Sequence, residues 1–305
     1  DKLVSATHWL DQMMQSDSGH MPNMGSNDGA NVMPLGGVDV MDYRPIIRLA
    51  KSIFVIPAGK RKGINPTPQQ MIAMKDGEQS AFLKAAYFHG RPSQADQLHL
   101  DLWWNKWNVA LDAGTFRYNH PTPWENSLAR TAVHNTITVD DTDQMIRTGR
   151  FLWLRQANIH NLEMHRDRSG RLHSISAIQD GYRHLGVLHK RTVESKPADK
   201  PGWLIRDDLL PFGNVPPTPV HTIRLAWLLP DWEWELDDLQ FHLITPNGTI
   251  KIMFTIRNPD NDAFNLEVHR AGTALTTSLK TNPTWGWYSR TYGVKEPALA
   301  LHLSW

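Results

Sequence analysis

A chain of 305 residues is long for one ordinary domain and points to one large unit or two. Lys and Arg number 32 against 31 Asp and Glu, and the resulting net charge of +1 excludes a binder that relies on neutralising phosphates, so no nucleic-acid partner is expected. The absence of cysteine excludes disulfides, thiolate catalysis and Cys-ligated zinc, and without a run of about 18 apolar residues no membrane span is expected.

Residues 1–15, DKLVSATHWLDQMMQ, place Leu3, Ala6, Leu10, Met13 and Met14 at helical spacing. They carry neither an initiator Met nor a charged-then-apolar signal segment. The Gly-rich SDSGHMPNMGSNDGANVMPLGG that follows predicts irregular chain. VDVMDYRPIIRLAKSIF then reads as a second helix, turning Val40, Ile46, Ile47, Ala50 and Phe54 toward a partner. Two helices bridged by a loop bury no core alone, so residues 1–56 read as the last hairpin of something larger.

PAGKRKGINPTPQQ, residues 57–70, reads as a linker or loop, and from there to residue 305 the pattern is mainly β. Strand-like runs include AFLKAAYF, LHLDLWW, NVALD, NTITVD, FLWLRQANI, LHSISAI, LGVLHKRTV and WLIRDDLL, then HTIRLAWLL, LQFHLIT, TIKIMFTI, FNLEVHR and ALALHLSW. Turn formers separate them (RDRSGR, PFGNVPPTP, TPNGT, RNPDND), as an antiparallel β-sandwich or barrel requires. The 13 Trp and 15 His supply groups that stack on sugars and shuttle protons, although core packing is the ordinary use of Trp.

Chemistry concentrates between Phe88 and Asp141, where LHLDLWW and NTITVD alternate apolar and polar side chains. His89, Arg91, Gln94, Asp96, Asp112, Tyr118, Arg130 and His134 crowd the ends of these runs, where loops can present them to a ligand. The segment HGRPSQADQLHLDL, the turn ALDAGTFRYN and above all RTAVHNTITVD resemble the C-terminal β-domain of the heparinase II/III-like polysaccharide lyases.

That resemblance implies an antiparallel β-sandwich at 57–305 preceded by remnant helices of an (α/α) toroid at 1–56. The missing N-terminal toroid domain would then be a partner of this chain. It implies β-elimination from an anionic polysaccharide: a base removes the C5 proton of a uronic acid, donors neutralise its carboxylate, and an acid protonates the leaving oxygen. No organic cofactor is required, and a periplasmic or secreted location follows from the same resemblance.

By sequence context His134 matches the family's HNT histidine, a metal ligand or active-site residue in members. His89 lies three residues outside the slot of the family's catalytic histidine, which falls on Pro92, and Gln94 occupies the slot of its second histidine. His134, His89 and Tyr118 are therefore the candidate catalytic groups. Arg91, Gln94, Trp124, Asn126 and Arg130 are the candidate substrate contacts, with Tyr288, Arg290 and Tyr292 as further cleft residues. Asp112 with His134 can supply two ligands to a divalent metal such as zinc, but Gln94 in third place makes a poor zinc set. Structural roles stand beside each: a turn for Asp112, packing for Trp124, a surface charge for Arg130. Two other functions remain open, a carbohydrate-binding or assembly module without catalysis, and a glycoside hydrolase using a pair from Asp96, Asp112 and Glu125.

Overall fold

The computed structural model describes residues 2–27, 37–54, 71–197, 199–213, 220–257, 264–277 and 281–305. The predicted linker at 57–70 lies outside the described residues.

Strands fill the domain after residue 70, and every pairing between named strands is antiparallel. The first sheet orders Met71–Asp76, Gln79–Lys84, Leu100–Trp104 and Trp107–Ala110 side by side. A second orders Trp203–Pro211, Val187–Ser195, Leu172–Gln179 and Ile159–Arg166. In the third, Glu296–Ser304 runs between Ile223–Pro230 and Asn265–Arg270, with Ile137–Val139 beyond Ile223–Pro230. Trp234–Asp237, Gln240–Thr245 and Gly248–Met253 form a meander.

One apolar core joins the sheets, drawing on Ile72, Leu83 and Leu100 from the first, Ile175 and Val193 from the second, and Ile137, Leu225, Leu301 and Leu303 from the third. Side chains alternate between the two faces of a strand, so the register of the first sheet fixes its faces. Ile72 pairs with Leu83 and Leu83 with Leu100, which turns all three to the core. Met71 pairs with Lys84 and Phe82 with Asp101, on the opposite face. There Met71, Phe82 and Trp103 pack against Met13 and Met21 of the leading segment. This second cover explains why Gln79–Lys84 is buried at all six positions.

Helices occupy Lys2–Met13 and Arg44–Ile53. The first buries Val4, Thr7 and Met13, whereas Leu3 is 56% exposed, so of the apolar spacing only Met13 marks the inward face and its first two turns face in through Val4 and Thr7. The second begins at Arg44 rather than near Val38, because Pro45 fits only a first turn and the Asp42 carboxylate accepts the Arg44 N–H at 3.0 Å. Of its predicted partner face only Ile47 is buried; Val40 and Ile46 are exposed. Among the described residues no helix is long and apolar enough to cross a membrane.

Candidate functional site

The helix-facing side of the first sheet carries polar residues that do not belong to the apolar core. Lys84 Nζ meets Asp96 Oδ2 at 2.6 Å with both side chains buried. Next to them His99, Asp112 and His134 converge, each at most 1% exposed. Asp112 Oδ2 lies 3.5 Å from His99 Nε2 and 3.7 Å from His134 Nδ1. The two imidazoles meet edge to face, with ring centres 5.4 Å apart. The His134 ring is thus deep, but in a polar cluster on the side that the leading segment covers.

The protonation of this cluster follows from its hydrogen bonds. The backbone N–H of Asn135 donates to His99 Nδ1 at 3.0 Å, so the neutral ring carries its proton on Nε2, 3.5 Å from Asp112 Oδ2. Burial keeps His99 neutral far below its usual range, and charges on His134, Lys84 and Arg191 act the same way. Burial also raises the Asp112 carboxyl, against the pull of His134; Asp96 raises it further, while the Gly114 N–H and Lys84 lower it.

Asp112 Oδ2, His99 Nε2 and both ring nitrogens of His134 are buried without a hydrogen-bond partner among the described residues. Two ligand atoms about 2.1 Å from one ion can lie up to ~4.2 Å apart, so the 3.7 Å pair fits a divalent cation. His99 does not join it as a ligand, since its Nε2 lone pair is spent on hydrogen. Two protein ligands are fewer than the three of a catalytic zinc, so a cation held by Asp112 and His134 would complete its shell with water.

The turn that carries His134 is held from four sides. Asn135 Nδ2 donates to the carbonyls of Leu100 and Leu111 at 2.9 and 3.0 Å, and its Oδ1 accepts the Leu228 N–H at 2.6 Å. The Asn135 carbonyl accepts from Arg191, which also donates to the Leu98 carbonyl at 2.7 Å. Arg191 is fully buried and grips Asp207 through Nε and Nη2 at 2.7 and 3.0 Å, while His189 Nε2 reaches the same carboxylate at 2.7 Å. Although burial alone would raise the Asp207 pKa, Arg191 and His189 hold it far below the usual carboxylate range.

A chain of hydrogen bonds joins this cluster to the leading segment. Gly25 N–H donates to Gln94 Oε1 at 3.1 Å, Gln94 Nε2 to the Gly114 carbonyl at 3.3 Å, and Gly114 N–H to Asp112 Oδ1 at 2.8 Å. Gly114 has φ +73°, and a Cβ there would lie 2.2 Å from the Ser289 carbonyl, so glycine is required for this close approach. Asn23 Nδ2 donates to that carbonyl at 2.7 Å, and Asn27 Nδ2 donates to the Arg290 carbonyl at 3.4 Å. Beside the seam lies a groove of about 490 Å³ lined by residues that include Trp9, Asn23, Asn27, Tyr43, Arg290 and Thr291.

The other predicted residues spread outward from this point. His89 and Arg91 are exposed on the loop before Gln94, and Gln94 itself is buried in the seam. Tyr118 stacks edgewise on Phe151 and leans on Tyr292. Trp124 is half-buried between Phe116 and Trp287. Asn126 is buried in a left-handed conformation and gives its amide to the Arg150 carbonyl at 2.9 Å, which makes it a turn residue. Arg130 is exposed and pairs with Asp143 at 3.2 Å. Arg290 reaches Asp39 at 2.7 Å and lines the groove, while burial raises the Tyr288 phenol above its usual range, with Asp101 adding to the rise. Sequence reasoning did not single out His99, Lys84 or Arg191. His99 takes a polar position of LHLDLWW, while Lys84 and Arg191 are charges within AFLKAAYF and LGVLHKRTV, and no local pattern distinguishes them from surface residues.

A family model described as "Heparinase II/III-like, C-terminal" matches residues 70–303. Among solved structures the chain is similar to the heparinase III-BT4657 gene product, with 13% identity and a TM-score of 0.65 over 98% of this chain and 43% of that one. It is also similar to heparan sulfate lyase HepC from Pedobacter heparinus, with 15% identity and a TM-score of 0.63 over 96% of this chain and 42% of that one. A third, titled heparinase III, gives 13% identity and a TM-score of 0.62 over 99% of this chain and 46% of that one. At these identities the likeness is one of fold, and the chain spans less than half the length of these structures. A search among curated protein sequences gives no match.

Proposed function

The chain belongs to the heparinase II/III-like family through its C-terminal domain, and from that premise we propose that it is the C-terminal part of a polysaccharide lyase that cleaves an anionic, uronate-containing polymer by β-elimination. The observation that carries this reading is the bonded seam Gly25–Gln94–Gly114–Asp112, which ties the leading segment to the buried cluster beside an open groove. A substrate in that groove meets Asn23, Asn27 and Arg290, which hydrogen bonds between the leading segment and the Ser289–Arg290 backbone hold in place, as electrostatic catalysis requires.

In this reading, roles divide by burial. His89, at the surface, would take or return a proton, and Tyr118 would serve as a second acid or base; Arg91, and Arg290 in the groove lining, would counter the uronate carboxylate. Asp112 holds the Ala113–Gly114 turn by accepting the Gly114 N–H, and the Gly114 carbonyl in turn steadies Gln94 and, through it, Gly25. A cation at Asp112 and His134 would supply buried positive charge there. The exposed Leu3, Ile46, Leu49 and Ile53 on the two helices are the face on which the missing toroid would dock, and an exported location is part of the same proposal. A glycoside hydrolase is disfavoured: Asp96 and Asp112 are buried, and Glu125 is paired with Arg150 at 2.9 Å.

The test is to incubate the full-length protein with alginate, heparan sulfate and other uronate polymers and to follow the ultraviolet absorbance of an unsaturated product. Absorbance that grows with time, and falls in the His89→Ala variant, is expected. Saturated products, or none from any uronate polymer, would overturn the reading.

A further inference from the structure

Beyond the groove, the segment that begins at Asp112 continues beside the one that begins at Ser289. Ser289 N–H donates to the Ala113 carbonyl at 2.9 Å, and Gly293 N–H to the Phe116 carbonyl at 2.6 Å. Where the two segments end, Lys295 Nζ sits 3.1 Å from the ring centre of Trp287, 3.9 Å from that of Trp124 and 5.7 Å from that of Phe116. The Arg117 guanidinium lies over the same Phe116 ring at 5.3 Å. Neither cation has an ion-pair partner among the described residues, whereas Arg130 has Asp143, Arg150 has Glu125 and Arg290 has Asp39.

We propose that Lys295 and Arg117, with the walls made by Phe116, Trp124 and Trp287, form a binding subsite for the anionic group of an acidic sugar, its carboxylate or its sulfate. Two like charges brought to one ring repel each other, and an anion between or above them relieves that repulsion. The rings displace water from around the ammonium, which strengthens its attraction to an anion, and burial lowers the Lys295 pKa for the same reason. Arg117 stands five residues from Asp112, which places the subsite at most about 18 Å along the chain from the buried cluster. The inference rests on the lyase reading for the identity of the ligand, and adds a second contact zone on the strip that starts at Arg290 and Thr291. It also revises the part of Trp124, whose face holds a lysine rather than lying bare for a sugar ring.

The experiment measures binding by calorimetry, without turnover, in the full-length protein. The probes are a tetrasaccharide cut from heparin, the same tetrasaccharide after removal of its sulfates, and neutral cellotetraose. Lys295→Met and Arg117→Gln are each expected to weaken binding of the heparin tetrasaccharide roughly tenfold, the scale of one charged hydrogen bond, and Lys295→Arg to retain most of it. Loss for both acidic probes identifies the carboxylate as the ligand, and loss for the sulfated probe alone identifies the sulfate. Equal affinity of wild type and Arg117→Gln, an exposed side chain whose removal leaves the fold intact, would overturn the proposal whatever Lys295→Met does to stability. Absence of binding to both acidic probes in the wild type would overturn it too. A protein that binds as expected but forms no unsaturated product keeps the subsite and loses the lyase reading.

Discussion

Arg191 and Asn135 are 56 residues apart in sequence and meet in the interior, where the guanidinium donates to the carbonyl of the residue that follows His134. Arg191 holds Asp207 with its other two nitrogens, so one side chain joins the second sheet to the His134 turn. Arg191→Met is expected to cost about 3–5 kcal/mol, because it leaves the buried Asp207 carboxylate with only the His189 imidazole beside it. Arg191→Lys is expected to fail nearly as badly, since an ammonium cannot grip a carboxylate and two carbonyls at once. Urea unfolding midpoints check both; a variant as stable as wild type would show that the fork is dispensable.

Lys84 and Asp96 are the second buried pair, 2.6 Å apart. Asp96→Asn strands the ammonium and is expected to cost about 3–5 kcal/mol, whereas joint replacement by Met and Leu should recover much of that loss. The two single variants and the double variant, measured by chemical denaturation, form the cycle that decides it. A double variant no better than the worse single would mean that the pair is held for something other than charge balance.

Gln94→Ala cuts the seam at its centre and leaves the Gly25 N–H and the Gly114 carbonyl without their side-chain partner. Stability should fall by about 1–3 kcal/mol. If the lyase reading holds, kcat/KM on the preferred polymer should drop by roughly 10- to 100-fold, as expected when a groove wall shifts by about an ångström. Steady-state kinetics beside a melting curve separate the two effects, and full activity in a destabilised variant would sever the seam from catalysis.

Stability should decline on the acid side. Burial holds His302 neutral well below 6.5 and lowers His189 and His269 in the same direction. Unfolded, these rings titrate near 6.5, so below about that pH the unfolded chain binds more protons than the folded one and stability falls. Above it the rings are neutral in both states and contribute no slope. Melting temperatures at constant ionic strength from about pH 8 to pH 5 should show a plateau followed by a descent; a rise on acidification would contradict this.

A divalent cation that binds at Asp112 and His134 should stabilise the folded chain by mass action, since the unfolded chain lacks the site. Wild type should melt higher with added calcium, manganese or zinc, and Asp112→Asn and His134→Gln should show no such gain. Identical melting of wild type with and without the metals would leave the two side chains as a hydrogen-bonded pair with water.

The strand runs and their turns were legible because each sheet has an apolar core-facing side and period-two alternation records it; Leu172–Gln179 and Ile223–Pro230 emerge nearly where the pattern puts them. Met71–Asp76 was missed because its two faces are both covered, one by the core and one by Met13 and Met21, so no alternation survives. The RTAVHNTITVD motif led to His134 and the ALDAGTFRYN turn to Asp112, but neither to the depth at which they lie. That depth is set by Arg191, Asn135 and the leading segment, contacts between residues dozens to hundreds of positions apart that no local pattern encodes.

The position of Glu296–Ser304 bears on how the domain comes into being. This strand occupies the interior of its sheet, yet all the strands it pairs with are translated before it. Until the ribosome delivers it, Ile223–Pro230 and Asn265–Arg270 present two open edges with nothing between them, a nascent form prone to pairing with strangers. Removing Glu296–Ser304 would therefore take out the middle of the sheet rather than trim one of its edges.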